Sequence, residues 1–572
     1  MFNFKDKPWF RKFLVTMAGK PAYKEYVKKS HDVKGTQLGL FNGMLRSCEE
    51  TVFGKEHNFK NIKSYDDYKK ALPVRHFEEH RPYIDRMMKG EADVLFPGKP
   101  IIYNTTSGTT SKPKMIPLSA DFFRRGTSRM NKLWLYSALR DNPHIYDGRS
   151  LSYVAPAVEG HVEDGTPFGS VSGLAFKNIP GILKRTYSAP YPIVDINNYD
   201  HKFYAMMRYA LPENITIIIA LNPSTYLRLH RTVMEEFDDL IKDIHDGTLR
   251  QDVAEGIPKQ DREECLAWLK PRPEKALSLE KLMSEHRENL RPKHYWPGLA
   301  LINVWKQGNF KQMLPKLDGF FPGKTVYRAF GYQASEGRAG LVLGNDWDYS
   351  ALASHAFFFE FIEEKDRELK DPPTLLAHEL EKGKRYYLIL NNLSGLYRYD
   401  MNDIIEVCGF YNQVPLFRFI QKGEGITSLT GEKLSEIQVI DAVRAVAAEK
   451  DIGVEYYTMY CDFDQQNYKF CIEYAPGTPE DVKSSFAADL DSKLRQFNPE
   501  WEARRGTGRL DCPECFELEP NSQTLLKECL VKKGKAREAQ YKNLYLTKKK
   551  DVFEELVNLR KKPNGSKPSP AG

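Results

Sequence analysis

Six serine and threonine side chains surround Gly108 in the segment IIYNTTSGTTSKPKMIPL, residues 101–118. β-favouring residues precede this cluster, and an apolar pattern resumes after it at Met115. Glycine lets backbone N–H groups approach an anion closely, and short hydroxyl side chains add donors without bulk. The lysines that follow supply compact positive charge for phosphate oxygens. The segment therefore predicts a phosphate-binding loop, with an ordinary Ser/Thr-rich surface turn as the alternative.

The length and apolar content of the chain indicate a multidomain globular protein. Its 572 residues exceed what one small core accommodates, and 41% hydrophobic with 28% charged residues is ordinary for a soluble protein. No stretch approaches the roughly 18 consecutive apolar residues of a spanning helix. The first residues, MFNFKDKPWFRKFLVTMAGK, lack the continuous apolar region of a secretion signal. We expect a cytoplasmic protein with no integral membrane segment.

Charge and cysteine spacing argue against two further classes of protein. A net charge of +7 spread over this length is not the footprint of a nucleic-acid-binding protein. Of the eight cysteines only Cys512 and Cys515 lie close together, and a structural zinc site usually needs a second such pair. We therefore expect neither a nucleic-acid partner nor a zinc centre.

A second cluster of polar side chains occurs in FGYQASEGRAG, residues 330–340, just after a strand-like segment. The flat ring of Tyr332 can stack on a purine, and the hydroxyl of Ser335 can reach a phosphate. The carboxylate of Glu336 can hold Mg²⁺ beside phosphate oxygens. A glycine-flanked turn explains this cluster equally well when it is considered alone.

A third cluster, RYDMND, spans residues 398–403 and follows the strand-like segment YYLILNN. Placed just outside a strand, the carboxylate of Asp403 can accept hydrogen bonds from both hydroxyls of a ribose. The alternative is that Asp403 only caps a turn.

Taken in order, these clusters resemble the auxin-responsive acyl acid amido synthetase family, which lies within the adenylate-forming superfamily. The similarity spans roughly residues 45–550 and includes FGKEHNF and ALPVRHFEEHRPYIDR before the loop. It implies Glu336 as metal ligand and catalytic residue, together with a set of nucleotide-binding residues: Thr106, Ser107, Gly108, Thr109, Thr110, Lys114, Tyr332, Ser335, Glu336 and Asp403. The chain departs from the family pattern at Ser111 and Asn402, where glycine is usual. Asparagine tolerates a left-handed backbone better than most residues, so the turn at position 402 is expected to survive.

The segment AQYKNLY, residues 539–545, resembles the closing motif of the same family, whose lysine reaches the ATP site. Lys542 matches that lysine and is the second catalytic residue that the resemblance implies. Leu544 and Tyr545 replace the expected Pro-Arg pair. A solvated charge in a basic region is the alternative for Lys542.

The resemblance also implies an α/β fold, in which a large adenylate-forming N-terminal domain has β-sheets flanked by helices. We assign residues 1–420 to this ATP- and acyl-acid-binding domain and residues 421–425 to a hinge. A smaller α+β C-terminal domain then covers 426–562, and 563–572 form a disordered tail. Within the smaller domain, helical apolar spacing predicts a helix over 430–450, and β-rich segments follow at 453–461 and 468–474.

The implied activity uses ATP and Mg²⁺ to convert a carboxylic acid to an acyl adenylate. An amine, expected to be an amino acid, then converts the adenylate to an amide. Two alternatives remain open: a coenzyme-A-type ligase, and a catalytically silent protein that binds a nucleotide or a small acid. The expected partners are small molecules only, and the expected state is a monomer.

Overall fold

The computed structural model describes residues 7–105, 114–306, 314–367, 369–423, 426–427, 429–430, 432, 434–465, 467–506, 510–534, 541 and 543–559. The chain divides into a large unit, Met1–Met401 with Ile405–Phe419, and a small unit, Asn402–Ile404 with Ile420–Gly572. The predicted hinge at 421–425 stays a prediction, and residues 424 and 425 lie outside the described residues. The predicted tail at 563–572 also lies outside them.

Helices of the large unit alternate with its strands along most of its length. They are α1 Pro8–Lys29, α2 Val33–Cys48, α3 Val52–Glu56, α4 Tyr65–Ala71, α5 Phe77–Met88, α6 Ala120–Phe122, α7 Arg129–Asp141, α8 Val171–Lys177, α9 Gly181–Lys184, α10 Tyr199–Ala210, α11 Pro223–Glu235, α12 Phe237–Asp246, α13 Gln251–Glu255, α14 Arg262–Leu266, α15 Pro273–His286 and α16 Pro292–Tyr295. A capping box explains where α4 begins, because Ser64 and Asp67 each accept a hydrogen bond from the other's backbone N–H. Within the described residues no helix combines the length and apolar character needed to cross a membrane.

A helix follows the loop segment and contains a π-helical turn. Ser119 caps α6, the segment Phe123–Ser128 is π-helical, and α7 continues to Asp141. A β-carbon on Gly126 would lie 2.5 Å from Phe357 Cζ, so this turn packs directly against an aromatic ring. Such π-helical turns often occur at functional sites.

The strands of the large unit form three sheets. The strands are β1 Ile102–Thr105, β2 Met115–Leu118, β3 Arg149–Ser152, β4 Gly160–His161, β5 Pro167–Gly169, β6 Ile215–Ile219, β7 Leu301–Asn303, β8 Val326–Arg328, β9 Gly340–Leu341, β10 Ser350–Leu352, β11 Phe358–Glu363, β12 Leu375–Leu376, β13 Arg385–Asn391, β14 Tyr399–Tyr411 and β15 Val414–Lys422, the last two of which carry residues of both units. The sheet orders are β2-β1-β5-β4, parallel β3-β6-β7-β8, and β12-β11-β13-β14-β15-β10-β9. The β-branched run of β6 is almost entirely buried, as expected for an interior strand of a parallel sheet.

The small unit is a four-stranded sheet with helices. Its helices are α17 Glu436–Lys450, α18 Glu480–Phe497, α19 Pro499–Gly506, α20 Ser522–Lys532 and α21 Lys550–Asn558; its strands are β16 Ile426–Thr427, β17 Leu434–Ser435, β18 Val454–Asp462, β19 Asn467–Tyr474, β20 Glu514–Glu517 and β21 Leu546–Thr547. The sheet order is β20-β19-β18-β21. The helix predicted over 430–450 begins six residues later than expected, because Ser435 and Gln438 form the capping box that starts α17.

Candidate active site

The predicted phosphate-binding loop connects two paired strands. Thr105, the last residue of β1, lies opposite Met115, the first residue of β2. The nucleotide-binding residues predicted at Thr106, Ser107, Gly108, Thr109 and Thr110 lie outside the described residues, as do Ser111 and Lys542. Lys114 is described and partly buried, with its Nζ 5.6 Å from the ring centroid of Phe77.

The second motif is hydrogen-bonded to the strand that leads into the loop. Ser335 Oγ donates to the carbonyl of Thr105 at 3.2 Å, and Asn104 Nδ2 donates to the carbonyl of Ser335 at 2.9 Å. Thr105 is fully buried, yet its hydroxyl oxygen has no hydrogen-bond partner among the described residues. An unpaired buried hydroxyl is costly, so one at this position is consistent with a polar ligand nearby.

Glu336 lies where the second motif meets the third. Tyr399 donates its hydroxyl to Glu336 Oε1 at 3.2 Å, and Asn392 Nδ2 donates to the Glu336 carbonyl at 3.0 Å. Ala334 and Gly337 exchange backbone hydrogen bonds, which closes a tight turn around the glutamate. The sequence analysis assigned no role to Tyr399 or Asn392, although Tyr399 is part of the third motif. These contacts fix the carboxylate of Glu336 on a rigid turn.

The third motif depends on a left-handed backbone and on a distant segment. Arg398 and Asn402 have φ values of 48° and 51°, so the prediction that asparagine preserves the turn at 402 is confirmed. The backbone of Arg75 donates to the Arg398 carbonyl at 2.9 Å and accepts from Asp400 N–H at 2.8 Å. Through this backbone pairing the segment ALPVRHF, which precedes the loop in the sequence, lies beside RYDMND in the fold.

Asp403 belongs to the small unit. Its side chain is 3% exposed and forms an ion pair with Lys422, at 2.7 Å between Oδ1 and Nζ. The lysine side chain is half exposed. A buried carboxylate whose cationic partner is half exposed can exchange part of that contact for ligand hydroxyls, as a ribose role requires.

The ring of Tyr332 is more buried than a stacking platform would suggest. Its centroid lies 6.0 Å from that of Phe417 and 5.9 Å from that of Phe419, and its backbone N–H donates to Ser350 Oγ at 3.1 Å. The ring therefore belongs to an aromatic cluster at the edge of the seven-stranded sheet, and its contact with a purine stays a prediction.

Arg338 is a functional candidate that the sequence analysis missed. Its guanidinium lies 5.0 Å from the ring centroid of Phe330. When the amide of Gln333 is oriented with its oxygen toward Arg338, that oxygen accepts from Nη2 at 2.8 Å and from Nε at 3.0 Å. Nη1 is a buried atom with no hydrogen-bond partner among the described residues, and burial lowers the pKa of Arg338 to about 10. A cation two residues after the predicted metal ligand was the available signal. A buried guanidinium nitrogen that has no carboxylate partner in the described part of the chain is costly and suits an anionic ligand.

The side chains around Glu336 are compatible with one mode of Mg²⁺ binding. No group of three or more His, Cys, Asp or Glu side chains within the described ranges is arranged to hold a metal ion. Mg²⁺ that accompanies a nucleotide commonly takes only one or two protein carboxylates, with phosphate oxygens and water as the other ligands. The single carboxylate of Glu336, held by Tyr399, is compatible with that mode of binding.

Comparison with known proteins identifies the family of the chain. The GH3 family N-terminal domain matches residues 22–326, the GH3 family central domain 350–422 and the GH3 family C-terminal domain 437–551. Indole-3-acetic acid-amido synthetase GH3.17 of Arabidopsis thaliana is 25% identical over 449 residues, which cover 70% of this chain and 71% of that protein.

Solved structures show the same fold. The structure of GH3.15 acyl acid amido synthetase matches with a TM-score of 0.82 at 20% identity, over 95% of this chain and 97% of that one. A 2-hydroxyisobutyryl-CoA ligase in its postadenylation state matches with a TM-score of 0.52 at 10% identity, over 91% and 90% of the two chains. These likenesses confirm the predicted α/β adenylate-forming fold, and the family matches confirm the resemblance drawn from the motifs. The chain belongs to the GH3 family.

Proposed function

We propose that the chain is an ATP-dependent acyl acid amido synthetase. The observation that carries this proposal is the pair of hydrogen bonds that join its motifs, from Ser335 Oγ to the Thr105 carbonyl and from Tyr399 to Glu336. Through these bonds the end of strand β1, the predicted metal ligand and Tyr399 form one polar cluster within the large unit. This cluster is better suited to bind a nucleoside triphosphate than any one of the motifs would be alone.

The proposed reaction has two steps. A carboxylate oxygen of the acid attacks the α-phosphorus of ATP, and the bond to the β-phosphate breaks to release pyrophosphate. An amine nitrogen then attacks the acyl carbon, a proton leaves the nitrogen, and AMP departs as the amide forms. Positioning and charge neutralisation supply the acceleration, so no protein nucleophile is needed.

The motif residues named here have separate roles in this scheme. Glu336 would hold Mg²⁺, which neutralises charge on the phosphates when bound. Lys114 and the predicted loop residues bind phosphate oxygens, Asp403 binds the ribose hydroxyls, and Lys542 approaches the ATP site. The buried, unpaired hydroxyl of Thr105 supports a polar ligand beside the loop.

Arg338 is proposed as the residue that binds the carboxylate of the acid. Its Nη1 is a buried donor that has no partner among the described residues. Arg338 follows Glu336, the predicted metal ligand, by two positions. The flanking Phe330 ring, which itself packs 4.2 Å from Trp134, offers an apolar surface for the rest of the acid. This assignment accounts for a buried charge that the fold leaves unpaired.

Replacing Arg338 with leucine should raise KM for the acid about tenfold to a hundredfold, because a hydrogen bond to a charged group contributes roughly 1.5–3 kcal/mol. KM for ATP should change little. Steady-state kinetics of pyrophosphate exchange at varied acid and varied ATP separate the two constants. Arg338→Lys serves as the matched control and should retain part of the affinity. An unchanged KM for the acid in Arg338→Leu would remove this role.

Replacing Asp403 with alanine should weaken nucleotide binding by a similar factor, about tenfold to a hundredfold, through the loss of the ribose contacts. Calorimetric titration of AMP into the full-length variant measures this directly. Asp348→Ala is the control, because Asp348 pairs with Arg418 at an exposed position. Equal AMP affinity in wild type and Asp403→Ala would show that Asp403 serves only the local fold.

ATP–pyrophosphate exchange over a panel of carboxylic acids tests the whole proposal. Exchange dependent on an acid supports adenylation, whereas nucleotide binding without exchange supports the silent binding protein. Product analysis with amino acids and with coenzyme A as competing acceptors then separates amide formation from thioester formation. The expected product is the amide.

The remaining features of the proposal concern the state in which the enzyme works. We place it in the cytoplasm as a monomer, with residues 421–425 as a hinge between the two domains. The sequence Lys-Gly-Glu-Gly at 422–425 supports a flexible connection. Sedimentation at micromolar concentration should give the mass of a single chain.

A further inference from the structure

A cavity of about 530 Å³ in the large unit has a strongly cationic wall and shares no residue with the motifs of the proposed nucleotide site. Helix α1, helix α2, the π-helical turn, helix α7 and the segment before β11 all contribute to it. Five cationic side chains line it: Lys29, Arg124, Arg125, Arg129 and Lys132. A volume of this size matches that of small-molecule sites in proteins.

Two carboxylates offset this charge only in part. Glu25 pairs with Lys29 at 2.8 Å and also with Arg129. Asp121 pairs with Arg124 at 2.6 Å and with Arg125 at 3.3 Å. The wall therefore keeps an excess of positive charge. Burial and then the charge of Arg125 lower the pKa of Lys29, so the cations repel one another and an anion between them would relieve that repulsion.

His355 supplies an independent sign of a ligand. It lines the same cavity, it is 7% exposed, and neither of its ring nitrogens has a hydrogen-bond partner within the described part of the chain. Burial and then the charges of Lys29 and Arg129 lower its pKa to about 3, so the ring is neutral and keeps one N–H donor. The edge-on ring of Tyr26, 4.9 Å away, holds the imidazole in place.

Gln37 holds the backbone on both sides of His355 through hydrogen bonds. This buried glutamine donates to the carbonyls of Ser354 and Phe357, at 2.6 and 2.7 Å, and accepts from the N–H of Phe359 at 2.9 Å. The unpaired imidazole is therefore a rigid feature, whereas the cations around it are long side chains with half-exposed ends. A fixed neutral donor among partly exposed cationic side chains can accommodate a polyanion.

We propose that this cavity binds an anion with clustered phosphate groups, at a second site that the adenylation chemistry does not use. Glu25 and Asp121 offset two of the five cations, so three positive charges remain. One carboxylate or one phosphate would leave part of this excess unbalanced, whereas two or three phosphates on a small scaffold would match it. The same headgroup chemistry can be presented by a soluble metabolite or by a membrane lipid. Trp9, Phe13 and Met17 are exposed along one face of the same helix α1, so a lipid source has an apolar surface available.

The test uses the full-length chain, with soluble inositol trisphosphate in one arm and vesicles in the other. The vesicles are phosphatidylcholine alone or phosphatidylcholine with a minor fraction of phosphatidylinositol bisphosphate. We expect calorimetry to show binding of the soluble probe, and flotation with only the bisphosphate vesicles if the natural source is a lipid. The triple substitution R125Q/R129Q/K132Q should weaken whichever binding occurs at least about tenfold, and H355N should weaken it without any change of charge.

R231Q is the matched control, because Arg231 is an exposed arginine on α11 that pairs with Glu235 at 2.7 Å. It should bind both probes like wild type. Thermal melting shows whether each variant folds, and the triple variant keeps the test decisive if H355N does not fold. Acid-dependent pyrophosphate exchange should be unchanged in the triple variant, so this proposal and the proposed function can fail separately. Absence of binding to both probes in the millimolar range, or equal binding by the triple variant, would overturn the proposal.

Discussion

Glu336→Gln should reduce acid-dependent ATP–pyrophosphate exchange by at least about a hundredfold. The substitution keeps the size of the side chain and one oxygen that can accept from Tyr399, but removes the negative charge that would hold Mg²⁺ against the phosphates. Charge stabilisation by a bound metal contributes several kcal/mol to a transition state, and each 1.4 kcal/mol is about a tenfold change in rate. Glu336 is buried on a tight turn, so this charge is lost where screening is weak.

Tyr399→Phe provides the comparison for this result. It removes only the hydroxyl that donates to Glu336 Oε1, so it loosens the carboxylate without changing its charge. The exchange rate should fall about tenfold or less, and raising the Mg²⁺ concentration should recover part of it. If Glu336→Gln exchanges pyrophosphate as fast as Tyr399→Phe, the metal is held elsewhere.

Glu360→Ala should lower the free energy of unfolding of the large unit by about 3–5 kcal/mol. Arg398 Nε donates to Glu360 Oε2 at 3.0 Å, and the two side chains are 6% and 0% exposed. The same carboxylate accepts from Tyr65 at 2.7 Å and from Asn391 at 2.9 Å. Removing it would leave a buried guanidinium with no counter-charge, which costs far more than loss of the contact itself.

Glu235→Ala is the matched control for this measurement. Glu235 pairs with Arg231 on the surface of α11, where the side chains are 45% and 59% exposed. Its removal should change stability by less than about 0.5 kcal/mol, because exposed pairs are screened by water. Urea unfolding of both variants, followed by tryptophan fluorescence, compares the two. A loss in Glu360→Ala as small as in Glu235→Ala would mean that the buried pair adds nothing.

Local features were predictable from the sequence because their causes are local. The capping residue Ser64 and the left-handed position of Asn402 follow from the properties of single side chains. The predicted start of α17 was wrong. Apolar spacing placed it at residue 430, whereas the capping box of Ser435 and Gln438 begins the helix at Glu436. Periodicity marks the body of a helix better than its first turn.

The candidate site was predictable only as far as the order of its motifs. Glu336 was singled out, but its contact with Tyr399 joins residues 63 positions apart, and no spacing rule connects them. Arg338 was missed because its importance comes from burial without a partner, which only the structure reveals. Arg398 was part of a motif, and the structure shows that its guanidinium pairs with Glu360 inside the core.

The backbone pairing of Arg75 with Arg398 and Asp400 also bears on how the nascent chain matures. These partners are separated by more than roughly three hundred residues, so the segment at Arg75 leaves the ribosome long before the strand that completes it is made. Contacts of such long range form slowly, and the surface awaiting them is exposed meanwhile. Fragments that stop before residue 398 should therefore be captured by chaperones or aggregate, even though most of the large unit's helices have already been synthesised.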